Sequence, residues 1–148
     1  MKLALWLMML FFNLLCPAVM VGLGRKFLKN PPKTINGAYG YRTRRSMQNQ
    51  DTWDFAQKEL GRIWLAVGKV MLPLAAAVQA LTLLCSTPVA VCLWSIPITT
   101  AELVAMVLTL VPVERALKRN FDENGKSGKG GLAYAGRGDP GEKRPGGD

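Results

Sequence analysis

The chain has 148 residues, 19 Lys or Arg against 10 Asp or Glu, no histidine and a formal net charge of +9, and 49% of its residues are apolar. Three long apolar runs take up so much of this length that no large water-soluble core can be built, which excludes a globular enzyme in solution and puts the function at a membrane. With no histidine and no CxxC spacing among the three cysteines, neither a metal site nor a Cys-His nucleophile has material to work with, so no metal or cofactor is expected.

The first apolar run covers residues 3–24, and its 22 residues span roughly 33 Å as a helix, enough for a hydrocarbon core of about 30 Å. It begins behind Met1-Lys2, as a secretory signal would. Yet it exceeds the usual apolar length, no small-x-small cleavage site follows it, and Arg25-Lys26 flanks it, so it reads as an uncleaved transmembrane helix. A lipid attachment at Cys16 is disfavoured by the bulky Leu15 before it. Gly22 and Gly24 predict the helix end near Gly24, and Asn30-Pro31-Pro32 blocks continuation.

Residues 25–62 carry nine of the 19 basic residues and three acids, Asp51, Asp54 and Glu59. The positive-inside rule makes this segment cytoplasmic, so the positive charge reads as topology and no nucleic acid is expected as a partner. The N-terminus is then outside. Arg115, Lys118 and Arg119 follow the third run directly and predict a cytoplasmic C-terminus. Inside the segment, Asn36-Gly37 and Tyr39-Gly40-Tyr41 are turn formers with aromatics attached and predict a structured loop rather than a helix over Lys33 to Asn49. Arg42, Arg44 and Arg45 suit phosphate or carboxylate recognition; the alternative is that they set topology and bind anionic inner-leaflet lipid nonspecifically. Helix is expected to resume at Asp51, which would cap the first turn with help from Asp54, and Trp53, Ala56, Leu60, Ile63 and Trp64 then recur at helical spacing.

The second and third runs, residues 63–85 and 89–111, have 23 residues each and span roughly 35 Å, joined by an external Ser86-Thr87-Pro88 turn. Pro73 predicts a bend in a helix running from Asp51 to about Cys85. Two ionisable residues lie inside the runs. In an antiparallel hairpin Lys69 sits roughly 9 Å and Glu102 roughly 13 Å above the inner helix ends, which makes an intramembrane charge pair reachable. The alternative is a Lys69 that snorkels to the interface and a Glu102 that is neutral or faces a wet groove. Asn13, Gln79, Thr99, Thr100 and Thr109 suit interhelical hydrogen bonds. Cys85 and Cys92 flank the external turn and could bridge there, or all three cysteines serve as small packing residues.

Behind Pro112, residues 113–121 place Val113, Leu117 and Phe121 among charged positions and predict a juxtamembrane helix lying on an anionic inner leaflet. Residues 125–148 hold nine glycines and predict a disordered cytoplasmic tail. The expected fold class is therefore an all-α membrane protein: a membrane domain over residues 1–124 with three transmembrane helices, and a structured cytoplasmic motif loop between the first two.

The loop also carries a longer pattern. The run Asn30-Pro31-Pro32-Lys33-Thr34-Ile35-Asn36, then Tyr39-Gly40-Tyr41-Arg42-Thr43, Ser46-Met47, Asn49 and Trp53 with Ala56, resembles the signature of the SdpI family of bacterial membrane proteins, closely over Gly24 to about Leu65. The resemblance implies a multi-pass protein of the bacterial plasma membrane, concerned with immunity against a secreted, membrane-damaging peptide toxin, and in the best-known system with recruitment of a transcriptional repressor. It also marks Asn36, Tyr39, Gly40, Tyr41, Arg42, Thr43, Ser46, Asn49 and Trp53 as functional or structural motif residues. Gly40 between two aromatics would let the backbone turn tightly and place Arg42 and Thr43 back against the helix that starts near Asp51, so the motif reads as a folded cap over the helix ends or as a contact for the toxin.

The leading expectation is a non-enzymatic immunity protein with a peptide toxin as partner. The alternatives are a scaffold that recruits a cytoplasmic regulator, and a small transporter or lipid-binding accessory motivated by Lys69, Glu102, Pro73 and Pro97. Catalysis ranks last, because the chain has no Ser-His-Asp set or phosphate loop, and the Gly125 to Gly131 stretch lacks the strand-and-helix context of a nucleotide site.

Overall fold

A computed structural model describes residues 1–84, 87–126 and 128. Among the described residues four helices follow one another: α1 (Lys2–Lys29), α2 (Gln50–Leu81) with a single 3-10 turn behind it (Thr82–Leu84), α3 (Pro88–Leu108) and α4 (Leu110–Asn120). Three stretches, α1, α2 with its 3-10 turn, and α3 with α4, are long and apolar enough to cross a membrane.

The helix ends correct the sequence reading in two places. α1 passes Gly24 and stops only where Asn30 donates its N–H to Lys26 O at 2.7 Å, ahead of the two prolines. Phe27, buried to 3% exposure, gives the extra turns a core to pack on, and Lys26 and Lys29 complement the negative end of the helix dipole. At the start of α2 the cap is Asn49 rather than Asp51. Asn49 Oδ1 accepts from the Thr52 N–H at 2.9 Å, and Thr52 Oγ1 accepts from the Asn49 N–H at 3.2 Å, a reciprocal capping box that leaves Asp51 in the first turn. Pro73 lies within α2 and Pro97 within α3. Cys85 lies outside the described residues, while Cys16 and Cys92 are free thiols.

α1 is the centre of the bundle and packs against both α2 and α3. Its closest approach to α2 needs glycine on both sides. A Cβ on Gly24 would stand 2.7 Å from Leu65 N, and one on Gly61 would stand 3.0 Å from Gly24 O, so any side chain would push the two backbones apart. Outward, the bundle is apolar: Leu7, Phe11, Val70, Leu74, Leu93 and Val107 are exposed, and in the apolar windows of the three spans only 17%, 22% and 17% of residues are buried. Such a surface is stable against lipid rather than water.

At 32 residues α2 runs about 48 Å, some 18 Å longer than a hydrocarbon core requires. Its polar first half therefore projects beyond the apolar bundle and forms, with α4 and the loop, a separate core of Phe27, Tyr41, Phe55, Leu60, Val113, Leu117 and Phe121. α4 thus does not lie on a lipid surface. Val113, Leu117 and Phe121 are 0%, 1% and 6% exposed because they pack on α2 and the loop, with Phe121 edge-on to Phe55 at 5.4 Å. The expected tail, residues 125–148, lies outside the described residues except at Gly125, Lys126 and Gly128. Gly125 is buried and its carbonyl accepts from Asn49 Nδ2 at 2.7 Å, so here the chain is tied to the cap.

Candidate functional site

The loop between α1 and α2 folds through its own polar side chains. Asn36 Oδ1 accepts from the N–H groups of Ala38 (3.1 Å) and Tyr39 (2.8 Å), closing a local turn. Tyr39 then stacks on Phe27 at 5.4 Å, with Lys26 Nζ 4.9 Å above its ring. Gly40 adopts φ of +113°, a conformation that glycine reaches without strain, and a Cβ there would also meet Gln57 Oε1 at 2.7 Å. The turn delivers Tyr41 to α2. Gln57 Oε1 accepts from the Tyr41 N–H at 2.7 Å and Gln57 Nε2 donates to Tyr41 O at 2.9 Å, so one side-chain amide satisfies both backbone groups.

Beyond Tyr41 the loop meets α4. The Tyr41 hydroxyl and Thr43 Oγ1 both donate to Glu114 Oε2 at 3.3 Å, and Arg45 Nε lies 3.6 Å from Glu114 Oε1. Burial, then the negative charge of the neighbouring Glu114 carboxylate and the hydrogen bond it accepts, pushes the Tyr41 phenol up to about 12. Ser46, fully buried, accepts from the Thr43 N–H at 2.8 Å and donates to Tyr41 O at 2.9 Å. Trp53, also fully buried, donates from Nε1 to Pro32 O at 2.7 Å and pins the start of the loop to α2.

Asn36, Tyr39, Gly40, Tyr41, Thr43, Ser46, Asn49 and Trp53 are therefore gathered into one cap over the helix ends. Arg42 is exposed and its guanidinium donates to Gly37 O. The residues that dock onto the helices are Tyr41, on α2, and Thr43, on α4; Arg42 does not return to the bundle as the sequence reading expects.

Two anchors were missed by that reading, Gln57 and Glu114. Both carry a signal in the sequence: Trp53, Gln57, Leu60 and Trp64 share one face at i, i+4, i+7 and i+11, and Leu110, Val113, Glu114, Leu117 and Phe121 share another. A polar residue set within an apolar stripe has to find a partner there.

A second polar cluster joins the three long helices far from the loop. Asn13 Nδ2 donates to Gln79 Oε1 at 2.5 Å, Ser95 Oγ donates to the same oxygen at 3.2 Å, and Thr99 Oγ1 donates to Asn13 Oδ1. Trp6 Nε1 reaches Thr82 Oγ1 at 3.0 Å. Thr109 accepts from Trp64 Nε1 at 2.9 Å, whereas Thr100 donates within its own helix.

Lys69 and Glu102 are not an ion pair. Because α1 stands between much of α2 and α3, the expected two-helix hairpin does not form a continuous contact. The inward face of α2 presents Gly61, Gly68 and Ala75, which turns Lys69 outward, and Glu102 is 6% exposed with both carboxyl oxygens lacking a hydrogen-bond partner. Among the described residues no three His, Cys, Asp or Glu side chains stand together as metal ligands.

The protein-family model described as the SdpI/YfhL protein family matches residues 33–113, just over half of the chain, covering the loop, α2 and α3. An uncharacterized protein of Bacillus subtilis (strain 168), YfhL, is 46% identical over 41 residues, and the match spans 28% of this chain and 37% of that relative. No solved structure matches the chain. The match takes in the cap and two of the three apolar helices, the arrangement of a multi-pass plasma-membrane protein. The chain belongs to the SdpI/YfhL protein family.

Proposed function

We propose that this protein is a non-enzymatic immunity protein that protects the plasma membrane against a secreted antimicrobial peptide, with the cap and α4 on the cytoplasmic side. The observation that carries this reading is the family match over residues 33–113. The cap supports it in a particular way. Its motif side chains are largely spent on one another and on Gln57 and Glu114, which makes them struts for the bundle, and a membrane-active peptide would meet the apolar helix faces that the struts hold in place. The orientation rests on the basic residues of the loop and of α4.

Expression in a host killed by a membrane-damaging secreted peptide tests the reading. Survival that tracks the abundance of the protein in the membrane supports it, and killing at full abundance overturns it. A second reading is favoured by the exposed Arg42 and Arg44, which leave a positive surface for a cytoplasmic regulator. Capture of a soluble protein by the parent chain but not by an Arg42→Ala/Arg44→Ala variant supports that role.

A further inference from the structure

Between the loop and α4 runs a groove of about 1240 Å³ that the motif's internal hydrogen bonds do not fill. Its floor is apolar, with Leu60, Trp64 and Leu110 leading onto Val107 and Val111, which are 58% and 42% exposed on the outward face of α3 and α4. Its rim is charged. Arg42, Arg44, Arg45 and Lys118 line it against two acids, Glu114 and Glu123. Glu114 is already engaged by Tyr41, Thr43 and Arg45, whereas Arg44 and Lys118 are exposed and form no ion pair among the described residues.

We infer that this groove holds one anionic phospholipid, its phosphate between Arg44 and Lys118 and its acyl chains along Trp64, Leu110 and Val107. The occupant follows from the gradient within a single cavity. A positive rim suits a phosphodiester, and the apolar floor is continuous with the lipid-facing surface of the spans, where only a chain-bearing molecule removes apolar area from water. A free phosphate would use only the rim, and a zwitterionic lipid would leave the excess of two basic groups uncompensated. Trp64, held by its hydrogen bond to Thr109 at 2.9 Å, stands at the level where the polar and apolar halves meet, a usual place for an interfacial tryptophan.

The test is native mass spectrometry of the detergent-purified full chain after exposure to equal amounts of phosphatidylglycerol and phosphatidylcholine with the same acyl chains. The parent protein is expected to retain phosphatidylglycerol about tenfold or more in preference. Arg44→Gln/Lys118→Gln, which alters exposed side chains only and is checked for parent-like helical content, is expected to lose most of that preference, while Arg25→Gln/Lys29→Gln, which removes the same charge away from the groove, keeps it. Equal retention of both lipids overturns the inference, as does an equal loss in the control pair, which would mean general surface charge. Displacement of the lipid by water-soluble glycerol phosphate also overturns it, since a free phosphate would then suffice. The outcome is independent of protection against a toxin.

Discussion

The two polar regions of this molecule use hydrogen bonds differently. In the cap, most motif side chains have a hydrogen-bond partner, the buried Tyr39 hydroxyl being an exception, and Gln57 alone satisfies both backbone groups of Tyr41. Between the spans, two amides and two hydroxyls form one cluster, Gln79 Nε2 has no partner and both oxygens of Glu102 are unaccompanied. Outside the bilayer a dangling donor competes with water for the folded state, so a loop has to be pinned group by group. Inside the bilayer the helices already satisfy their own backbone, and side-chain bonds only adjust how they meet.

This contrast can be broken by substitution, starting with the change expected to be largest. Gly61→Leu forces a side chain into the backbone contact with Gly24 and should cost about 3 kcal/mol or more, seen as loss of folded protein in detergent. Gln57→Leu leaves the buried N–H and C=O of Tyr41 without partners and should cost about 2 to 4 kcal/mol by denaturant unfolding. Gln79→Leu removes the hub between the spans yet should cost only about 1 kcal/mol. Should Gln79→Leu prove the more damaging of these two, the contrast is inverted.

Tyr41 sharpens the picture through pH. Its folded-state value of about 12 stands above the ordinary phenol value of 10, so its contribution is complete below pH 10 and is lost as pH rises through 12. Tyr41→Phe should therefore flatten the fall in stability between pH 10 and 12, measured by alkaline unfolding of the purified protein. The smallest effect belongs to Arg42→Ala. Its side chain is exposed, so stability should stay within about 0.5 kcal/mol of the parent while any role in partner capture disappears.

Much of this architecture was legible in the residues. The three apolar runs appear as long helices, and Asn13, Gln79 and Thr99 meet between them, because lipid as solvent leaves few alternatives. Less legible were features that depend on which element lies beside which. The docking of α4 could not be told from an amphipathic helix on a lipid surface, since both need the same apolar stripe; the deciding partner, the projecting half of α2, is more than fifty residues distant from it in sequence. Lys69 and Glu102 had compatible depths, but depth says nothing about azimuth, and Gly68 next to Lys69 took the inward position. Asn49 displaced Asp51 as cap because Thr52 three residues on completes the reciprocal pair.

The ties from Thr43 to Glu114 and from Asn49 to Gly125 link groups 71 and 76 residues apart. A ribosome delivers the earlier half of each tie long before the later one. The loop can dock on α2 as soon as that helix exists, but its ties to α4 and to Gly125 form only after both have been made. Closure of the cap is thus a late event in synthesis: the Tyr41 backbone can dock on Gln57 once α2 exists, but its hydroxyl and Phe55 gain their partners Glu114 and Phe121 only when the last helix has been made.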